Sequence, residues 1–204
     1  MHLSTLDPDT VRQHLGGVGA VGCDTAAPIH VAPVAATYAA ACAPGRTAPY
    51  VVDFDLTTPV SFYVVYAWSG ATARPDLRDK SENLLQAIVD AIGLHPERPT
   101  AIVGDYNIDL DRLEPARRLM QESHWADVGH HAHLWGQPRD DYTCMTGNAA
   151  RGTRRDFFLV NPELFGRICN FRVLHDQEFP THAVLQLQLR RGQTKTAVMR
   201  AKKP

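Results

Sequence analysis

Paired cysteine is what this 204-residue sequence most plainly lacks. Cys23, Cys42, Cys144 and Cys169 are widely scattered, and none stands in a Cys-x-x-Cys pair. The opening "MHLSTLDPDT" is polar and acidic rather than an apolar leader. Together these absences exclude a disulfide scaffold and a thiolate zinc ribbon, and predict reduced thiols in an intracellular protein. No apolar run approaches the roughly 20 residues of a membrane span, so no membrane partner is expected. The formal charge of −1 is too small to select a polyanionic partner by bulk attraction. No internal repeat and no linker divides the chain.

Length and ordinary apolar content suit one domain with its own core, which we place at 1–189. The remainder, 190–204 ("RRGQTKTAVMRAKKP"), carries only positive charges. It reads as a solvated tail able to attract a polyanion. "GGVGAVG" reads as a strand, and residues 26–49 as loops and short strands. "YVVDFDL" and "VSFYVVYAW" are β-branched and aromatic runs joined as a hairpin near Thr57-Thr58-Pro59. Leu77, Leu84, Leu85, Ile88, Val89 and Ile92 recur at helical spacing until Gly93. "TAIVG" is then a short buried strand, and residues 114–123 a second helix. A long loop region from Gly129 precedes three further strands, "RRDFFLV", "CNFRVL" and "AVLQLQL". Strands that meet partly by hairpins and partly through a helix predict an α/β sandwich with mixed sheets.

Three short stretches could carry chemistry. In "AIVGDYNIDLD", Asp105 and Asn107 follow the carboxyl end of a strand, where open α/β sheets place ligands. An Asp there can take a proton from water or hold a hard cation, and an Asn can donate to a phosphate oxygen. The same two residues also suit a plain Asx-turn. In "TRRDFFLV", Asp156 fronts an apolar strand and needs a partner, which Arg154, Arg155 or a histidine could supply. In "PTHAV", His182 precedes the last strand, where an Asp would fix its tautomer and favour a phosphate-binding role. Tyr66, closing "VVY", is either a half-buried aromatic or a phosphate donor.

In order, "VVYAW", the Leu-rich helix, "VGDYN", "TRRDFFLV" and "PTHAV" resemble the motifs of the endonuclease/exonuclease/phosphatase (DNase I-like) superfamily, with retroelement-type endonuclease domains closest in feel. The resemblance runs from about Gly16 to Leu189. It implies a four-layer α/β/β/α sandwich of two mixed sheets flanked by helices, and a Mg²⁺-dependent phosphodiesterase acting on nucleic acid. Under it Asp105 activates the attacking water and contributes to a Mg²⁺ site. Asn107 holds the phosphate and aligns Asp105, His182 stabilises the phosphoryl oxygen, Asp156 pairs with His182, and Tyr66 adds a phosphate contact.

The chain departs from that pattern at two points. The family opens with strands ending in Asn and in a metal-binding Glu, whereas here Gly16-Gly17 arrives almost at once, with no strand expected before it and no Glu before Glu82. Thr181 stands where the family has Asp before the final His. The resemblance therefore implies a domain truncated at its amino-terminal strands, whose exposed sheet edge stays short or is covered by a partner chain or a parent-chain segment. Two alternatives follow: an impaired copy that keeps only phosphate binding, and a His-rich metal module built on His124, His130, His131, His133 and Cys144.

Overall fold

The computed structural model describes residues 2–6, 17–21, 28–32, 36–42, 44–53, 58–145, 150–175 and 181–190. In chain order the first elements are β1 (His2–Leu6), β2 (Gly17–Val21), β3 (Ile29–Val31), α1 (Ala36–Cys42), β4 (Thr47–Val52), β5 (Val60–Tyr66) and α2 (Pro75–Ile92). Then come β6 (Thr100–Asp105), α3 (Glu114–Glu122), β7 (Ala126–Asp127), β8 (Asp156–Val160), α4 (Pro162–Phe165), β9 (Ile168–Leu174) and β10 (Val184–Leu189). Six strands make one mixed sheet in the order β3-β4-β5-β6-β8-β7. Only β5 and β6 run parallel, joined across the sheet face by α2; the other neighbours are antiparallel.

Side-chain alternation sorts the sheet into two faces. Val65, Ile102, Phe157 and Leu159 pack against Leu84, Leu85, Ile88 and Ile92 of α2 and Ala116 and Leu119 of α3. Each such aliphatic side chain contributes about 1.5–3 kcal/mol by leaving water. Val60, Ala101 and Val160 face the other way, under Ile168 and Phe171 of the β9–β10 ribbon. Along β10 every second residue is half-buried, as expected of a ribbon with one wet face. A second ribbon, β1–β2, lies against β4 and β5.

The mixed α/β architecture is the one expected, and the second layer is where the sequence reading needs correction. A strand does precede Gly17: β1 pairs with β2 from His2↔Val21 to Leu6↔Gly17. Among the described residues β1–β2 and β9–β10 are two separate two-stranded ribbons rather than a second continuous sheet. Residues 26–49 also hold a helix as well as strands, because Tyr38 anchors α1 through a core contact and a 2.7 Å hydrogen bond with Thr47. The segment 191–204 lies outside the described residues. Among the described residues no helix is long and apolar enough to cross a membrane.

Candidate active site

β6 ends at Asp105, and the strands on either side set what surrounds it. Asp105 pairs directly with Asp156, the first residue of β8, and on its other side with Tyr66, the last of β5. Residues directly opposite share a sheet face, so Tyr66, Asp105 and Asp156 form a row on the ribbon side. Opposed like charges are costly in a sheet unless something uses them. Here burial first and the Asp156 charge second push the Asp105 carboxyl above its ordinary value, while donors from Asn107 and the nearby His182 pull the other way.

Asn107 meets Asp105 through a turn rather than through strand alternation. Its backbone adopts φ 55°, a left-handed conformation that Asn tolerates better than most residues. Its N–H donates to Asp105 Oδ1 at 2.9 Å, closing an Asx-turn, and its Nδ2 donates to Asp105 Oδ2 at 3.0 Å and to the Ala67 carbonyl at 3.1 Å. The turn and the site are thus one structure: the Asx-turn aims the amide and the acid at the same place.

His182 reaches the acids by way of residues 143–145. Cys144 forms antiparallel bridges to both Thr153 and His182, and Ala183 N–H donates to the Thr143 carbonyl at 2.7 Å. The result puts His182 Nδ1 2.8 Å from Asp156 Oδ2. Thr143, buried, accepts the backbone N–H groups of Arg155 and Asp156, each at 2.9 Å, and so fixes where β8 begins. The sequence does not single out Thr143, and it offers Cys144 only as a ligand of the His-rich module; the one signal for this role is the threonine-bearing stretch before "RRDFF".

The arginines beside Asp156 are committed elsewhere. Arg154 binds Asp127 and, at 2.7 Å, Asp140. Arg155 donates to the Asn107 carbonyl at 3.0 Å and to Thr72 Oγ1 at 3.2 Å. Arg112 donates to the Thr72 carbonyl at 3.0 Å. Arg46 sits 5.0 Å from the Tyr66 ring centre and 4.9 Å from that of Trp68, whose other cationic neighbour is Lys80 at 6.0 Å. Cations therefore gather along residues 66–72, next to the acid pair, although the whole chain is nearly neutral.

Asp105, Asp156 and His182 offer ligand atoms within 4.8 Å of one another. Asp109 and Asp111 do not join them and instead line a separate cleft of about 620 Å³ with Trp125 and His130. In the His-rich stretch the His131 ring lies 5.4 Å from that of His130 and 6.3 Å from that of His133, but among the described residues these side chains form no metal-ligating group. His130 pairs with Asp140, both ring nitrogens of His133 face Arg139, and His131 packs on Phe165. Among the described residues the metal-binding grouping is the one at Asp105, which corrects the His-rich module.

No family model matches the sequence, and no curated protein matches it. Solved structures do. The 3′-5′ exonuclease NExo from Neisseria meningitidis superposes with a TM-score of 0.58 at 18% identity, over 81% of this chain and 72% of that one. A 3′ phosphatase NExo from Neisseria bound to a product DNA hairpin gives 0.57 at 19%, over 79% and 70%. The AP endonuclease LMAP from Leishmania major gives 0.56 at 16%, over 72% of this chain and 55% of that one. The chain therefore has the fold of the DNase I-like, or endonuclease/exonuclease/phosphatase, proteins.

Proposed function

We propose that this domain hydrolyses phosphodiester bonds in nucleic acid. The observation that carries the reading is the opposed pair Asp105 and Asp156, one acid held by an amide and the other by a histidine, at the carboxyl end of a central strand. Asp105, held by two donors from Asn107, takes the proton of the attacking water. On substrate binding the Asn107 amide turns one N–H from the Ala67 carbonyl to a phosphoryl oxygen, His182 Nε2 donates to another, and the Asp156 contact at Nδ1 holds the imidazole in place. Tyr66 flanks the same row and adds a phosphate contact. Mg²⁺ suits Asp105, since this ion commonly binds through one carboxylate plus substrate phosphate, and it would neutralise phosphate charge. The cations along residues 66–72 fit a chain of phosphates better than a lone phosphate ester. The fold's exonuclease, phosphatase and AP endonuclease neighbours support the same substrate class. An intracellular setting, with retroelement-type ancestry, is part of this proposal.

A second reading, phosphate binding with little cleavage, draws on one observation. Glu82, the first Glu in the chain, is spent on the helix side, where its carboxylate accepts the Glu114 N–H at 3.2 Å. A supercoiled-plasmid nicking assay with Mg²⁺ separates the readings. Hydrolysis predicts that Asp105→Ala slows nicking at least about 100-fold; equal nicking by both proteins would sink it.

A further inference from the structure

We infer that the cleft of about 620 Å³ between α3, β7 and the start of β8 is a binding site for a small organic guanidinium compound that also carries a carbonyl acceptor. The volume is that of an ordinary small-molecule site. None of Asp105, Asn107, Asp156 or His182 lines it, so the site stands apart from the acid row and holds whether or not the chain cuts nucleic acid. Among the described residues its walls carry four carboxylates, Asp109, Asp111, Asp127 and Asp140, against one guanidinium, Arg154.

One part of the cleft is already filled, and it shows what the other part fits. The Arg154 guanidinium lies 4.5 Å from the centre of the Phe157 ring and is held by Asp127 and, at 2.7 Å, by Asp140. Asp140 also takes His130, at 2.9 Å. The same elements recur in the cleft without a cation: an aromatic ring, Trp125, and two exposed carboxylates, Asp109 and Asp111, whose side chains have no partner among the described residues. A guanidinium answers both, because its planar fork matches carboxylate oxygens and its face stacks on an aromatic ring. Trp125 adds a second requirement. It lines the cleft and is only 8% exposed, yet its indole N–H finds no acceptor among the described residues. A donor so placed calls for an acceptor on the ligand, which a carbonyl supplies and a bare cation does not. Leu110 and Met120 give the ligand's aliphatic stem an apolar surface.

Nuclear magnetic resonance of the full chain carrying ¹⁵N-labelled tryptophan tests the site without any activity measurement. The probes are N-acetyl-L-argininamide and, separately, its neutral isostere N-acetyl-L-citrullinamide. Loss of a signal in Trp125→Phe assigns the Trp125 indole resonance. The arginine compound should shift that resonance saturably, with an affinity about tenfold or more above that of the citrulline compound. Asp109→Asn combined with Asp111→Asn should weaken binding about tenfold or more, and both positions are exposed, so the fold is not at stake. Asp53→Asn, beside β3 at the opposite end of the six-stranded sheet, should leave binding unchanged. No saturable shift, equal affinity for the two compounds, binding that survives loss of both carboxylates, or an equal loss in Asp53→Asn overturns the inference.

Discussion

At Gly104 the chain runs at φ 145°, in a region that side chains rarely adopt, and a Cβ built there would stand 1.9 Å from the Val65 carbonyl oxygen. The glycine before Asp105 thus belongs to the close approach of β6 to β5, and it sets where the acid emerges. Gly104→Ala should cost about 3 kcal/mol or more in urea unfolding, and a loss under 1 kcal/mol would show the approach to be slack. Asp105 itself yields a prediction in pH. Its folded value lies above the ordinary 3.8, chiefly through burial. The folded state therefore binds a proton that the unfolded chain releases, so this contribution favours folding at low pH and is lost as pH rises through the folded value. Asp105→Asn should accordingly be more stable than the parent at pH 7, with the gap narrowing towards pH 4. A gap that is absent at pH 7, or that widens on acidification, contradicts the assigned burial cost.

Between elements, Asn161 joins what the sequence keeps far apart. Its Oδ1 accepts Thr100 N–H at 2.9 Å, where β6 begins, and Leu164 N–H at 3.1 Å, in the first turn of α4. Its Nδ2 donates to the Arg98 carbonyl at 2.8 Å, and the residue is only 2% exposed. Asn161→Ala would orphan these groups and should cost about 2–4 kcal/mol by chemical denaturation. Asn161→Asp keeps the acceptor and should fall in between; a harmless Ala would mean that the knot is replaceable.

The same scale shows how much was legible. The helix over residues 77–92 was readable because Leu84, Leu85, Ile88 and Ile92 repeat on one face, and the structure buries that face. The β4–β5 hairpin was readable from two β-branched runs. Asp105, Asn107, Asp156 and His182 were named, and their meeting is what the fold adds. It depends on the parallel pairing of β5 with β6 and on the bridges at Cys144, neither of which leaves a local pattern. β1 and α1 were not readable, since "HLSTL" is too short for an alternation signal and "ATYAAAC" shows only one anchoring aromatic, Tyr38.

For the molecule as a whole, placement of charge matters more than its sum. A formal net charge of −1 predicts no general affinity for nucleic acid. Yet Arg46, Lys80, Arg112 and Arg155 gather around the segment 66–72 that follows β5, and Arg191, Lys195, Arg200, Lys202 and Lys203 follow β10 in the sequence. These two groups should contribute differently. On the proposed hydrolysis Arg155, bonded to the Asn107 carbonyl, steadies the turn that aims Asn107 and Asp105, so Arg155→Gln should lower the nicking rate even at saturating DNA. On the same proposal the charges beyond Leu189 act through counterion release, which raises affinity and steepens its salt dependence by about 0.9 in log–log slope for each phosphate neutralised on duplex DNA. Removing 191–204 should therefore weaken DNA binding and flatten that slope by up to about 4.5, while leaving the saturated nicking rate unchanged. Fluorescence anisotropy with labelled duplex across a salt series, run beside the nicking assay, measures both. An unchanged slope would mean that the basic segment does not touch DNA, and a fallen saturated rate would place it in the site.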